Sequence, residues 1–167
     1  MRRKLGQRAD DERRRKRARP RQPTRRVDAR AIEQQIEIYQ PHRIFTHHPS
    51  DLNDDHVQTS RACMAAARYF QRRDDIKQLD SLNFIEVPSA TDWAFSGVGD
   101  QFSPNSYEEI GDFIDLKIKA LQCYRRVMRP FPHPRSEEII KGLAAYRGGQ
   151  SGFFYAEAFQ TIFRSGV

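Results

Sequence analysis

Between Thr46 and His56 the chain reads Thr-His-His-Pro-Ser-Asp-Leu-Asn-Asp-Asp-His, three histidines and three aspartates within eleven residues. Imidazole and carboxylate are the ligands that a catalytic zinc ion takes, with one position left open for water. Asp55, beside His56, could orient that histidine or a neighbouring group. Composition alone leaves a second reading open: a polar loop whose aspartates cap a turn and a helix, with exposed histidines. A catalytic zinc normally has three protein ligands, and ligands this close in sequence need not converge on one ion.

The elements around this stretch favour a site. Residues 42–46 read as a short buried strand, and a helix is expected from about Asp55 to Arg73, with Val57, Cys63, Ala67 and Phe70 on or near its inner face. The His/Asp run thus lies just beyond the carboxyl end of a strand, where open α/β sheets bind their ligands. Upstream, Asp28 is a plausible N-cap for a helix carrying Ile32, Ile36 and Tyr39 on one face, stopped by Pro41. Downstream, residues 83–87 read as a strand and 88–105 as a structured loop or short hairpin holding the only Trp. A helix striped with Ile110, Ile114, Ile118 and Leu121 is expected to reach Met128. Residues 129–135 contain three prolines and form a rigid loop. Ser136 can cap a helix that Gly148, Gly149 and Gly152 break after Arg147, and a last short helix is expected over 154–163. This order argues for an α/β layered fold with at least one parallel strand pair. Two clear strands are too few for a complete doubly wound sheet.

The net charge of +7 belongs to one end of the chain. Residues 1–30 hold 14 Lys/Arg against 4 Asp/Glu, whereas the rest holds 15 against 18. The first 26 residues, with Arg-Arg-Arg-Lys-Arg at 13–17 and no aromatic residue, have too little apolar surface to offset the entropy of ordering. They read as a disordered tail or a frayed helix; a nucleic-acid-binding arm is the sharper alternative. That arm lacks the aromatic side chains that single-strand binding favours, and a domain that clamps nucleic acid usually carries its positive charge on its folded face. No apolar run approaches the roughly 20 residues needed to cross a membrane, and no secretory h-region is present. Cys63 and Cys123 read as two buried thiols in a reducing compartment, which makes a cytoplasmic location the default.

The Thr46–His56 run resembles the second motif of the PIG-L/LmbE-like de-N-acetylase family, which follows a strand and ends in Asp-His. Further likenesses follow in order: Phe84-Ile85-Glu86-Val87-Pro88-Ser89-Ala90-Thr91-Asp92-Trp93, then Phe102-Ser103-Pro104-Asn105, Lys117-Ile118-Lys119-Ala120-Leu121, Pro132-His133-Pro134-Arg135-Ser136, and Tyr155-Ala156-Glu157-Ala158-Phe159. The resemblance spans about residues 28–164. It implies hydrolysis of N-acetyl groups from amino sugars or their conjugates with one Zn2+ ion. His56 resembles the family's zinc-binding histidine and Asp55 its supporting acid. Asn53 lies where many members carry a second histidine; an asparagine can donate a hydrogen bond to an oxyanion but cannot shuttle a proton. His47 and Asp51 are further candidates on the loop. His133 and Arg135 could meet the sugar or a phosphate, or belong to a loop packed for its own sake. Glu157 reads either as part of the site or as a surface residue.

The family's first motif, a His-Pro-Asp-Asp-Glu run that supplies two zinc ligands and the general base, has no counterpart here. Gln7-Arg8-Ala9-Asp10-Asp11-Glu12 echoes it, with Arg8 in place of the histidine and no strand before it. The expected architecture is therefore a partial, Rossmann-like α/β fold over residues 28–167, a mostly parallel sheet flanked by helices, behind a basic tail at 1–27. Such a chain should bind zinc poorly and hydrolyse little by itself. Ile44 and Phe45 should be under-covered, and an exposed sheet edge should invite a missing N-terminal segment or self-association.

Overall fold

The computed structural model describes residues 28–166 apart from Ser96 and Val98. The basic tail, its reading as a nucleic-acid arm and the Gln7–Glu12 echo lie outside the described residues.

Helix α1 (Ala29–Tyr39) starts where Asp28 accepts a hydrogen bond from the Arg30 backbone N–H at 3.1 Å. It ends at Gln40, in the left-handed region with φ 44°. Strand β1 (Arg43–His47) follows Pro41. Helix α2 (Asp54–Ala66) begins at the N-cap Asn53, whose Oδ1 accepts from the Asp55 N–H at 3.0 Å. It stops seven residues short of the expected Arg73. Contacts with α1 replace the last turns: the Tyr69 hydroxyl donates to Glu37, and Arg73 Nη1 bonds the same carboxylate at 2.7 Å.

Strand β2 (Ser81–Ile85) pairs in parallel with β1, from Arg43 opposite Ser81 to His47 opposite Ile85. Strand β3 (Ser106–Glu109), which the sequence pattern did not signal, leads through a 3-10 turn at Gly111–Phe113 into helix α3 (Ile114–Gln122). Ile114 and Ile118 are its buried stripe. The helix expected from Ile110 to Met128 is therefore shorter at both ends. Helix α4 (Glu137–Ser151) is capped by the fully buried Ser136, whose Oγ accepts from the Ile139 N–H at 3.2 Å.

Gly148 and Gly149 do not break α4. Gly148 serves close packing, since a Cβ there would stand 2.6 Å from the Phe153 carbonyl oxygen. Gly152, with φ 83°, ends the helix in the left-handed region that glycine enters at little cost. The expected final helix is instead strand β4 (Ala156–Arg164). Its Ala156 and Ala158 are buried, and Phe159, Thr161, Ile162 and Phe163 suit a pleated surface. The backbone of β4 fills the gap between β2 and β3, a demand invisible in a local pattern.

The four strands lie in the order β1-β2-β4-β3. One pairing is parallel and two are antiparallel, so the mostly parallel sheet is not found among the described residues. The α/β class and the single parallel pair stand. α1 and α2 cover the sheet face that carries Ile44 and Leu82, packing Ile36, Ala66, Ile76, Ala67 and Leu79 into two adjoining clusters. Ile44 is thus covered. Phe45, on the other face, is 48% exposed and meets the Phe159 ring edge-on at 5.1 Å. Among the described residues β1 pairs with β2 alone, leaving its outer edge without a strand. Cys63 is buried as expected, whereas Cys123, at the C-cap of α3, is exposed. No described helix is long and apolar enough to cross a membrane.

Candidate functional site

The Thr46–His56 stretch runs from the carboxyl end of β1 to the first turn of α2 and folds around Asp51. The Asp51 side chain is fully buried, and three groups converge on it. Its Oδ1 accepts from the Asn53 N–H at 2.8 Å, and its Oδ2 accepts from the Thr91 hydroxyl at 3.2 Å. His56 Nδ1 lies 3.0 Å from Oδ2, without the alignment of a full hydrogen bond. The carboxylate against His56 is therefore that of Asp51. Asp55 is exposed, with its backbone N–H in the Asn53 cap.

His47 packs its ring against that of His56, with centroids 3.9 Å apart and the planes at 61°. Its Nδ1 is buried without a partner among the described residues. Burial, and then the neighbouring His56, hold His47 below the usual imidazole range, so it is neutral near pH 7. His48 is only 2% exposed and stands edge-on to Phe84 and Phe102. Its Nδ1 accepts from the Ser50 N–H at 3.2 Å, which makes it a structural histidine that holds the loop.

His48 carries a pH consequence. Burial lowers its affinity for a proton, against a smaller opposing influence of Asp100 and Asp51. Protonation at Nδ1 would also break the bond from Ser50. In the unfolded chain a histidine titrates near 6.5, so the unfolded state takes up the proton first. The stabilisation is therefore complete above about pH 6.5 and is lost as pH falls from there toward the folded value. Thermal midpoints should drop between about pH 7.5 and 5.5, and His48→Gln should flatten that slope. An unchanged slope in the variant would remove His48 from this account.

A cavity of about 730 Å³ opens beyond the carboxyl ends of β1 and β2, between the sheet and helices α3 and α4. Of the sequence candidates, Asn53, His56, Arg135 and Glu157 line it, whereas His47, Asp51, Asp55 and His133 do not. His133 instead braces the proline loop, its Nδ1 accepting from the Arg135 N–H at 3.0 Å. The Asn53 cap uses Oδ1, so its amide Nδ2 is the donor left to a ligand.

Several lining residues had no role assigned from sequence. Glu86 and Arg147 form a two-point pair, Nε to Oε2 at 2.9 Å and Nη2 to Oε1 at 2.6 Å, with each side chain only 12% exposed. The Glu86 carboxylate holds the Arg147 guanidinium even more firmly protonated than usual. Lys117 Nζ lies 2.7 Å from Glu157 Oε1, so Glu157 is a paired strand residue. Trp93 adds an aromatic wall, 54% exposed. Glu86 was within reach of sequence reasoning, because it follows the end of β2 by one residue, the position that singled out the His/Asp loop after β1.

The zinc expectation meets a limit in this geometry. Among the described residues no three His, Cys, Asp or Glu side chains stand where they could share one metal ion. His47, His56 and Asp51 are in contact, but Asp51 is committed to Asn53 and Thr91. The described residues do not by themselves fit a catalytic zinc centre.

No family model matches the chain, and no curated protein matches it in sequence. Solved structures do. A conserved protein from Thermus thermophilus superposes with a TM-score of 0.64 at 22% identity, over 83% of this chain and 60% of its own. The 4-carboxy-2-hydroxymuconate hydratase of Pseudomonas putida gives 0.65 at 19%, over 83% and 59%. The N,N'-diacetylchitobiose deacetylase of Pyrococcus horikoshii gives 0.59 at 17%, over 80% and 50%. The chain has the fold of these proteins and spans between half and three fifths of their lengths.

Proposed function

We propose that this chain carries part of a hydrolytic site of the PIG-L/LmbE-like type, for zinc-dependent removal of N-acetyl groups from amino sugars or their conjugates. The observation that carries the reading is His56, braced by the buried Asp51 on the wall of a cavity beyond two strand ends. A fold shared with a chitobiose deacetylase is consistent with it. Asp51 sets the orientation of the His56 ring. The Asn53 amide is a hydrogen-bond donor for the oxyanion that forms when an amide carbonyl is attacked. Leu121, Met128 and Leu143 give the cavity an apolar wall beside these polar groups. In this reading His56 is the one group the chain offers toward a zinc ion, and activating a water there would need further ligands and a base that the described residues do not supply.

The chain alone should therefore take up well under one zinc ion per molecule and release little acetate from N-acetylglucosamine or diacetylchitobiose. Joined to an upstream segment bearing a His-Pro-Asp-Asp run, it should gain both, and His56→Ala should abolish them. Metal analysis with an acetate-release assay decides the matter. Stoichiometric zinc on the chain alone, indifferent to His56→Ala, would sink the reading.

A further inference from the structure

Five charged side chains line the cavity: Glu86, Lys117, Arg135, Arg147 and Glu157. Four are paired with one another, Glu86 to Arg147 and Lys117 to Glu157. Arg135 is left over. Among the described residues no carboxylate lies within ion-pair distance of it, and its Nε is buried with no hydrogen-bond acceptor. A buried N–H without an acceptor has lost its bond to water and gained nothing in return. The surrounding loop holds Arg135 in place: its N–H donates to His133 Nδ1 at 3.0 Å, its carbonyl accepts from the Arg129 N–H at 3.1 Å, and the next residue is the fully buried cap Ser136. Ordering that segment is therefore not a cost that a ligand must meet.

The guanidinium is a planar fork of N–H donors that matches the oxygens of a phosphate or carboxylate. Arg135 and His56 line the same cavity, whose volume of about 730 Å³ lies within the usual range for small-molecule sites. We infer that this cavity selects ligands carrying an oxygen anion, a phosphate or a carboxylate, which Arg135 binds. The amino-sugar character of the rest of the ligand rests on the proposed function; the anion subsite does not.

The test titrates the full chain with inorganic phosphate, acetate, N-acetylglucosamine and N-acetylglucosamine 1-phosphate. It follows the Arg135 Nε–H resonance, assigned in the unaltered chain through its bonded side-chain and backbone nuclei, and measures affinity by calorimetry. The sugar phosphate should move that resonance and bind at least tenfold more weakly to Arg135→Gln, about 1.4 kcal/mol. Arg135→Lys, which keeps the charge without the fork, should fall between. A response to free phosphate or to acetate identifies which anion the subsite prefers. An Arg135 resonance unmoved by all three anions overturns the inference even if neither variant folds, and so does sugar-phosphate affinity equal in wild type and Arg135→Gln. Anion binding through Arg135 without any response to neutral N-acetylglucosamine keeps the subsite and counts against the amino-sugar reading.

Discussion

Arg147→Ala should cost about 3 kcal/mol of folding stability, the low end of the range for breaking a buried ion pair. The urea midpoint would fall accordingly. The two side chains are each only 12% exposed, and the pair closes through two parallel hydrogen bonds between helix α4 and the residue after β2. Removing the guanidinium leaves the Glu86 carboxylate desolvated and unpaired on the cavity wall. The cost is that of the orphaned charge and exceeds what the pair contributes against an apolar substitute. Replacing both members, Glu86→Leu with Arg147→Met, should accordingly recover most of the loss. A cost below about 1 kcal/mol for the single variant would place the pair with exposed surface ion pairs and refute its role as a strut of the cavity.

Asp51→Ala should have a comparable effect on stability, about 3 kcal/mol, and a larger one on the site. The Asp51 carboxylate is fully buried, accepts hydrogen bonds from the Asn53 N–H and the Thr91 hydroxyl, and lies 3.0 Å from His56 Nδ1. Hydrogen bonds to a charged acceptor are each worth about 1.5–3 kcal/mol, less what the freed donors regain from water. Removal releases the loop from the 88–95 segment and lets the His56 ring turn. Any activity or metal affinity that depends on His56 should fall about 10–100-fold, the usual result of removing a histidine's supporting carboxylate. Asp51→Asn, which keeps the shape and one acceptor oxygen, should do less. Denaturation midpoints and the His56 ring resonances check this together. A stable Asp51→Ala protein with unmoved His56 resonances would mean that Asp51 is not the brace.

The readings that depended on neighbours in sequence held best. Asp28 and Ser136 cap their helices because a short polar side chain, just before an apolar stripe, satisfies orphan N–H groups locally. The strand expected at 42–46 and found at 43–47, with the polar loop after it, was legible for the same reason. What failed was set by distant partners. Residues 154–163 have local spacings that suit a helix, and they become a strand because β2 and β3 offer their backbones on either side. α2 ends early because Tyr69 and Arg73 reach α1, more than thirty residues away. Within the site, the histidine-and-aspartate loop could be found by composition, but not the division of labour inside it. Asp51 braces His56 by way of a turn, and its contact with Thr91 spans forty residues. The Glu86–Arg147 pairing spans sixty-one residues, and although the place of Glu86 just after β2 was legible, nothing local assigns it that partner.

The strand order β1-β2-β4-β3 has a consequence for how the molecule comes into being. Among the described residues β4 is the last strand in sequence, yet it occupies an interior place in the sheet. During synthesis, β1 and β2 leave the ribosome well before β4, the strand that pairs with β2 on its other side, and a parallel pair lacking that neighbour is weakly held. β3 emerges with no neighbour to join. Both wait for residues 156–164 to leave the ribosome, whose arrival completes two pairings at once. Until then the long-range pairings of β2 and β3 with β4 cannot form, and late, non-local pairing of this kind slows folding and leaves strand edges open to misassociation.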